Sequence, residues 1–161
     1  MKEVFLIIGG NQGDVRKTFD DVKLELENRV GNIVKPSSIY STVSWGDDSQ
    51  PDYLNQVLKI ESELSPREVL KQCLEIEKLY GRIRDKENQW ASRTIDIDIL
   101  YCSSDIVDEA DLTIPHPRMH GRNFVLIPLV EIAPDGIHPV LKKTNSQLLS
   151  DCQDKLEVNA L

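Results

Sequence analysis

Residues 94 to 100 read TIDIDIL, and the period of that short segment restricts the fold more than anything else in the chain. Ile95, Ile97 and Ile99 alternate with Asp96 and Asp98. Successive side chains on a strand point to opposite faces, so the isoleucines share one face and the aspartates the other. The segment belongs to a strand spanning Thr94 to Tyr101, anchored in a core by its isoleucines. The two aspartate Cα atoms then lie roughly 6 to 7 Å apart, with like charges side by side. One reading is a pair of carboxylates converging on one cation or two. Hard oxygen donors with a few waters suit Mg²⁺ that substrate phosphates also bind. The other reading is a strand with one solvated face on which acidic residues fall by chance. The spacing alone does not separate them.

The remaining pattern surrounds this strand with a recognisable frame. Val4 to Ile8, VFLII, is a continuous apolar run closed by Gly9-Gly10, as expected of a buried central strand. Val15, Phe19, Val22, Leu26 and Val30 recur at helical spacing over 14–30, and Gly31 supplies a stop. A second strand is expected over Ile33 to Thr42, with an irregularity at Pro36-Ser37-Ser38. Residues 43–52 read as a loop, and Tyr53 to Leu64 as a third strand. Ser65-Pro66-Arg67-Glu68 opens a second helix with a cap, a first-turn proline and an acid three residues after the cap. That helix runs through Val69, Cys73, Ile76 and Tyr80 to Gly81, and residues 82–92 form a second long loop.

The order β-α-β-β-α-β predicts an α+β fold of the ferredoxin-like type. A short hairpin (Ile106-Val107 with Leu112 to Ile114), a proline-interrupted helix over 124–132 and a final amphipathic helix over 146–156 complete a single-domain α/β sandwich. At 161 residues the chain is long enough for one substantial core.

Charge and cysteine usage exclude several classes. With 27 acidic against 19 basic residues and a formal net charge of −8, a general nucleic-acid binder is disfavoured, and phosphates would need a local basic cluster. Cys73, Cys102 and Cys152 are odd in number and far apart, which supports neither a disulfide framework nor a zinc site. They read as small apolar residues in a reducing compartment. The N-terminal apolar run is too short for a signal peptide and nothing approaches a membrane span, so the expectation is a cytoplasmic protein without a membrane partner.

The local basic cluster exists. Five of the eight arginines, Arg82, Arg84, Arg93, Arg118 and Arg122, fall between residues 82 and 122. Guanidinium groups match phosphate oxygens in bidentate geometry, and two carboxylates beside several arginines are what a magnesium–polyphosphate complex requires. A solvated loop with surface ion pairs is the competing explanation. Gly9 to Asp14, GGNQGD, joins a strand to a helix but lacks the spacing of the glycine-rich nucleotide motifs, so a tight turn is the better reading. His116, between two prolines, suits a phosphate contact in a loop; His120 and His138 read as surface residues. Trp45, Trp90, Tyr53 and Phe124 are placed so that a flat heterocycle could stack between rings with Asn55 reading its edge, although ordinary core packing would explain any one of them.

Taken together, GGNQGD (9–14), QPDYLN (50–55), EIEKLYGRIR (75–84), WASRTIDIDIL (90–100) and IPHPRMHGRNFVLIPL (114–129) resemble the 6-hydroxymethyl-7,8-dihydropterin pyrophosphokinase family of folate biosynthesis. The resemblance implies transfer of pyrophosphate from ATP to the pterin hydroxymethyl group, leaving AMP, with two Mg²⁺ ions held by Asp96 and Asp98. It implies that Arg82 and Arg93 assist the transferring group. Glu77, Arg84, Lys86, Trp90, Arg93, Ile99, His116 and Arg122 would lie on the ATP side. Thr42, Val43, Trp45, Tyr53, Asn55 and Phe124 would lie on the pterin side.

The two long loops are the natural lids, and a monomer is expected. Some positions depart from the family pattern: Gln89 replaces a basic residue before Trp90, and Pro117 replaces a tyrosine or aspartate after His116. Two other classes stand beside the enzyme. A non-catalytic ferredoxin-like module would bind a small molecule without turnover. A nucleic-acid binder of the four-stranded-sheet type is opposed by the charge and by the lack of an aromatic-rich strand.

Overall fold

The fold is taken from a computed structural model, which describes residues 1–43, 51–80 and 95–161. Its elements are β1 (Lys2–Gly10), α1 (Val15–Arg29), β2 (Asn32–Pro36), β3 (Tyr40–Thr42), β4 (Tyr53–Ser62), α2 (Pro66–Leu79), β5 (Asp96–Cys102), β6 (Val107–Glu109), β7 (Leu112–Ile114), a 3₁₀ turn (Met119–Gly121), α3 (Asn123–Ile132), α4 (Asn145–Asp151) and β8 (Val158–Ala160). One antiparallel sheet runs in the order β5-β1-β4-β3-β8, with β2 also paired to β4. Two helices lie between the first and last strands of the βαββαβ core, as the ferredoxin-like order requires.

Both faces of the sheet are covered, which explains why β1 reads as an unbroken apolar run rather than an alternation. Val4, Leu6 and Ile8 pack with Phe19 and Leu26 of α1 and Ile76 of α2. Phe5 and Ile7 pack with Leu126 and Leu129 of α3 and Leu148 of α4. Local signals set the helix starts. Ser65 accepts from the Glu68 amide at 3.2 Å while Glu68 accepts from the Ser65 amide at 3.1 Å, the reciprocal cap expected of that tetrapeptide. Asp14 accepts from the Lys17 amide at 3.2 Å, so the last residue of GGNQGD caps α1. Gly13 just before it takes a φ of +70°, which favours glycine.

The strand expected over 33–42 is two short strands, β2 and β3. Their junction stays attached to β4 through Ser37: its amide donates to the Val57 carbonyl at 2.8 Å and its hydroxyl accepts from the Val57 amide at 3.0 Å. The final helix is shorter than its amphipathic pattern predicts. It ends at Asp151, and an unforeseen strand, β8, follows. Beyond Asp151 the chain is committed to other partners: Asp154 accepts from the Leu156 amide at 2.9 Å and from the Asn123 amide of α3 at 3.0 Å. These tertiary bonds override the local helical preference.

One irregularity decides how β5 is presented. Phe5 pairs with Tyr101 but Leu6 pairs with Ile99, so Leu100 is an extra residue, a β-bulge. Ile95, Ile97 and Ile99 enter the cluster with α1 and α2, while Leu100 and Tyr101 both enter the cluster with α3 and α4.

Candidate active site

Because Ile97 and Ile99 are buried against α1 and α2, Asp96 and Asp98 stand on the opposite face, the one α3 covers further along the sheet. Asp96 is half-buried and Asp98 exposed. Asp96 sits opposite Gly9 of β1, and Gly9 in turn sits opposite Asn55 of β4. A Cβ on Gly9 would lie 2.6 Å from Asn55 Oδ1 and 2.8 Å from Tyr53 Cε1. The missing side chain therefore admits both residues over the backbone of β1. Tyr53 uses that space to cross from β4 to β5, where its hydroxyl donates to Asp96 Oδ2 at 2.8 Å. Asn55 is 4% exposed. A ring, an amide and a carboxylate thus form one continuous surface above three adjacent strands.

Phe124 and Arg122 face this region from the start of α3. The Arg122 guanidinium lies 5.5 Å from the Phe124 ring centroid. His116 is held by its backbone, whose amide donates to the Leu100 carbonyl at 3.0 Å. The Arg118 amide donates to His116 Nδ1 at 3.2 Å, which makes Nδ1 the acceptor and leaves the ring proton on Nε2. Burial holds the His116 pKa below its ordinary value, against the pull of Asp98, and the Arg122 and Arg118 charges lower it further. A neutral imidazole with an Nε2 donor at pH 7 suits an anionic oxygen.

Several expected site residues have other surroundings. Glu77, expected on the ATP side, is only 2% exposed, and its Oε2 accepts from the Ile97 amide at 3.2 Å. It holds the strand between the two aspartates, a role that sequence reading missed. The signal was available, since Glu77 lies four residues after Cys73 on the buried stripe of α2. The Ile99 side chain is 6% exposed within the core against α1 and α2, turned away from the aspartate face. Thr42 is buried and donates to the Tyr53 carbonyl at 3.4 Å, whereas Val43 is exposed. Trp45, Arg82, Arg84, Lys86, Trp90 and Arg93, together with most of both expected lid loops, lie outside the described residues.

Among the described residues no three His, Cys, Asp or Glu side chains gather into a metal cage. A two-carboxylate set is what Mg²⁺ needs when water and phosphate oxygens complete its octahedron, so the donors fit that ion. Fold and site together define a ferredoxin-like domain that presents a carboxylate pair bonded through Asp96 to the Tyr53 hydroxyl, a neutral histidine and an arginine over the Phe124 ring.

Comparison with known proteins narrows this to one family. The family model described as 7,8-dihydro-6-hydroxymethylpterin-pyrophosphokinase (HPPK) matches residues 5–134. A relative from Haemophilus influenzae, named 2-amino-4-hydroxy-6-hydroxymethyldihydropteridine pyrophosphokinase, is 43% identical over 120 residues, 74% of this chain and 71% of that one. Relatives of the same name from Synechocystis sp. (40% over 148 residues, 90% of this chain and 74% of that one) and Aquifex aeolicus (37% over 148 residues, 89% and 88%) agree. The wild-type HPPK-DHPS of Plasmodium falciparum superimposes with a TM-score of 0.73 at 16% identity, a likeness of fold; the match spans 92% of this chain but only 44% of that longer one. The chain belongs to the 7,8-dihydro-6-hydroxymethylpterin-pyrophosphokinase family.

Proposed function

We propose that this chain transfers the pyrophosphoryl group of ATP to 6-hydroxymethyl-7,8-dihydropterin in folate biosynthesis, releasing AMP. The observation that carries the reading is the Tyr53 hydroxyl bonded to Asp96 at 2.8 Å, which couples a ring suited to pterin stacking to a carboxylate suited to the metal. Tyr53 and Phe124 are the stacking rings, Asn55 reads the pterin edge, and the backbone near Thr42 and Val43 completes that side. The pterin hydroxymethyl oxygen bonds to the β-phosphorus of ATP as the bond from that phosphorus to the oxygen shared with the α-phosphorus breaks. The hydroxyl proton leaves to solvent or to a phosphate oxygen.

Asp96 and Asp98 are the residues that would hold two Mg²⁺ ions. When bound, the ions would neutralise phosphate oxygens and polarise the transferring group. Arg122 and the Nε2 proton of His116 would bind phosphate oxygens that the metal leaves bare, with Arg82, Arg84, Lys86, Trp90 and Arg93 supplying the rest of the ATP side. Little covalent chemistry falls to the protein; positioning and charge carry the rate. Glu77 contributes by fixing β5 rather than by facing solvent.

We read the chain as a single-domain, cytoplasmic monomer. The free thiols of Cys73, Cys102 and Cys152 support a reducing compartment, and no described helix is long and apolar enough to cross a membrane. Calorimetry with a non-hydrolysable ATP analogue, with and without Mg²⁺ and then with pterin, tests the assignment together with an assay for AMP. Metal-dependent nucleotide binding followed by pterin binding and AMP release is expected. Pterin or nucleotide binding without turnover and without a response to Mg²⁺ would return the chain to the non-catalytic alternative.

A further inference from the structure

The segment after α4 is tied to both elements that carry the pterin side of the site. Its first attachment is to the start of α3. The N-cap of that helix is Arg122, whose side chain offers no acceptor, so the first helical amides depend on groups from elsewhere. Asp154 supplies one: its Oδ2 accepts from the Asn123 amide at 3.0 Å, and a carboxylate there also complements the positive end of the helix. The Asn123 side chain returns the contact, donating to the Asp154 carbonyl at 2.5 Å and the Leu156 carbonyl at 3.5 Å. Asn123 immediately precedes Phe124, so whatever fixes it fixes the direction of that ring.

The second attachment is to β3. Tyr40, Ser41 and Thr42 pair with Ala160, Asn159 and Val158, and the Leu161 amide donates to the Ile39 carbonyl at 2.9 Å. The pairing ends at Thr42, immediately before the residues expected to read the pterin edge. Between the attachments, Asp154 Oδ1 accepts from the Leu156 amide at 2.9 Å, which turns the chain from one to the other. The residues of the strap itself, Asp154 to Leu161, lie beyond 134, where the family match stops.

We infer that Asp154 is a positioning residue for the pterin half of the site, acting through Asn123 on Phe124. This rests on the pyrophosphokinase reading. The aspartate pair stands on β5, separated from β3 by both β1 and β4, and owes nothing to this strap. Loss of Asp154 should therefore weaken pterin use selectively.

The test is steady-state AMP formation by the full chain, wild type against Asp154→Ala, Asp154→Asn and Asn123→Ala, with each substrate varied in turn and a thermal melt of each variant. Asp154→Ala should raise the KM for hydroxymethyldihydropterin about tenfold while the KM for ATP stays within about twofold. Asp154→Asn, which keeps one of the two acceptors, should recover part of the loss. A purely structural role would lower the melting temperature and move both KM values together, or neither, and either result overturns the inference. If Asp154→Ala does not fold, Asn123→Ala carries the same expectation, and an unchanged pterin KM there overturns it equally. A wild-type chain that forms no AMP overturns the pyrophosphokinase reading and this one with it. An active wild type with unselective variants overturns this one alone.

Discussion

Tyr53 and Asp96 stand on strands separated by β1, yet the phenol donates to the carboxylate at 2.8 Å across the bare backbone of Gly9. The ring proposed to stack on pterin and the carboxylate pair proposed to hold metal are thereby held in one frame. Geometry of this kind matters in phosphoryl transfer, where the protein's contribution is alignment. Each residue of the bridge can be tested separately.

Asp96→Ala and Asp98→Ala are expected to lower AMP formation by at least about a hundredfold, because each removes a charge that positions the transferring group. Neither side chain is part of the core, so circular dichroism and the melting temperature should remain close to wild type. Near-normal turnover in either variant would remove the pair from the mechanism.

Tyr53→Phe keeps the ring and loses the bond to Asp96. A single hydrogen bond to a charged acceptor contributes about 1.5 to 3 kcal/mol, so kcat/KM for pterin should fall about ten- to a hundredfold. ATP-analogue binding measured by calorimetry should change little. Equal losses for both substrates would mean that the hydroxyl serves the whole sheet rather than the pterin side.

Gly9→Ala would put a methyl group into the space that Tyr53 and Asn55 share. Overpacking of this kind costs about 1 to 3 kcal/mol, and here the neighbours that must yield are the proposed pterin contacts. A rise in pterin KM together with a modest drop in melting temperature is expected. Unchanged pterin kinetics would show that the two side chains can move aside without consequence.

Glu77→Ala should destabilise the fold by about 1 to 3 kcal/mol, read from urea unfolding, since it strips the buried Ile97 amide of its acceptor. Glu77→Gln keeps an acceptor and should retain more of the stability. If Glu77→Ala lost ATP affinity with no loss of stability, the residue would belong to the nucleotide instead.

Stability should fall with acid in a defined window. The His138 Nδ1 accepts from the Val140 amide at 3.2 Å and the Leu141 amide at 3.0 Å, so the folded state holds the ring neutral. Burial, with a smaller contribution from His120, keeps its pKa below the ordinary 6.5. The unfolded chain then binds more protons than the folded one between the folded pKa and 6.5. That contribution is complete above 6.5 and is lost as pH falls through the depressed value. Melting temperatures from pH 8 to pH 5 should decline as pH falls from 6.5 through the depressed value, and His138→Gln should flatten part of the slope. His116, shifted the same way, accounts for a remainder. A slope unaltered by His138→Gln would place the acid sensitivity elsewhere.

Short-range rules accounted for much of this structure. The period of TIDIDIL specified which side chains of β5 enter the core and which face the site. The Ser65 to Glu68 tetrapeptide specified its own capping bonds, because all the partners lie within one turn. What escaped depends on distant partners. β8 is three residues long, and only its pairing with β3 makes it a strand. Residues 152–156 continue an amphipathic pattern, but Asn123 of α3 claims the Asp154 and Leu156 carbonyls. By resemblance alone Glu77 is expected on the ATP side, although its place on the buried stripe of α2 marks a core position.

The extra residue at Leu100 acts as a phase shift in the strand. Counting back from Cys102, which is buried with α1 and α2, strict alternation would send Leu100, Asp98 and Asp96 into that same core. The bulge inverts the count once, so that the strand satisfies two cores at one end and solvent chemistry at the other. Flattening the bulge without removing a residue would turn both carboxylates inward, where neither could stay charged, whereas removing Leu100 would leave plain alternation with both still on the site face. Among family members the bulge and its extra residue should therefore be kept or lost together, a constraint of parity rather than of residue identity.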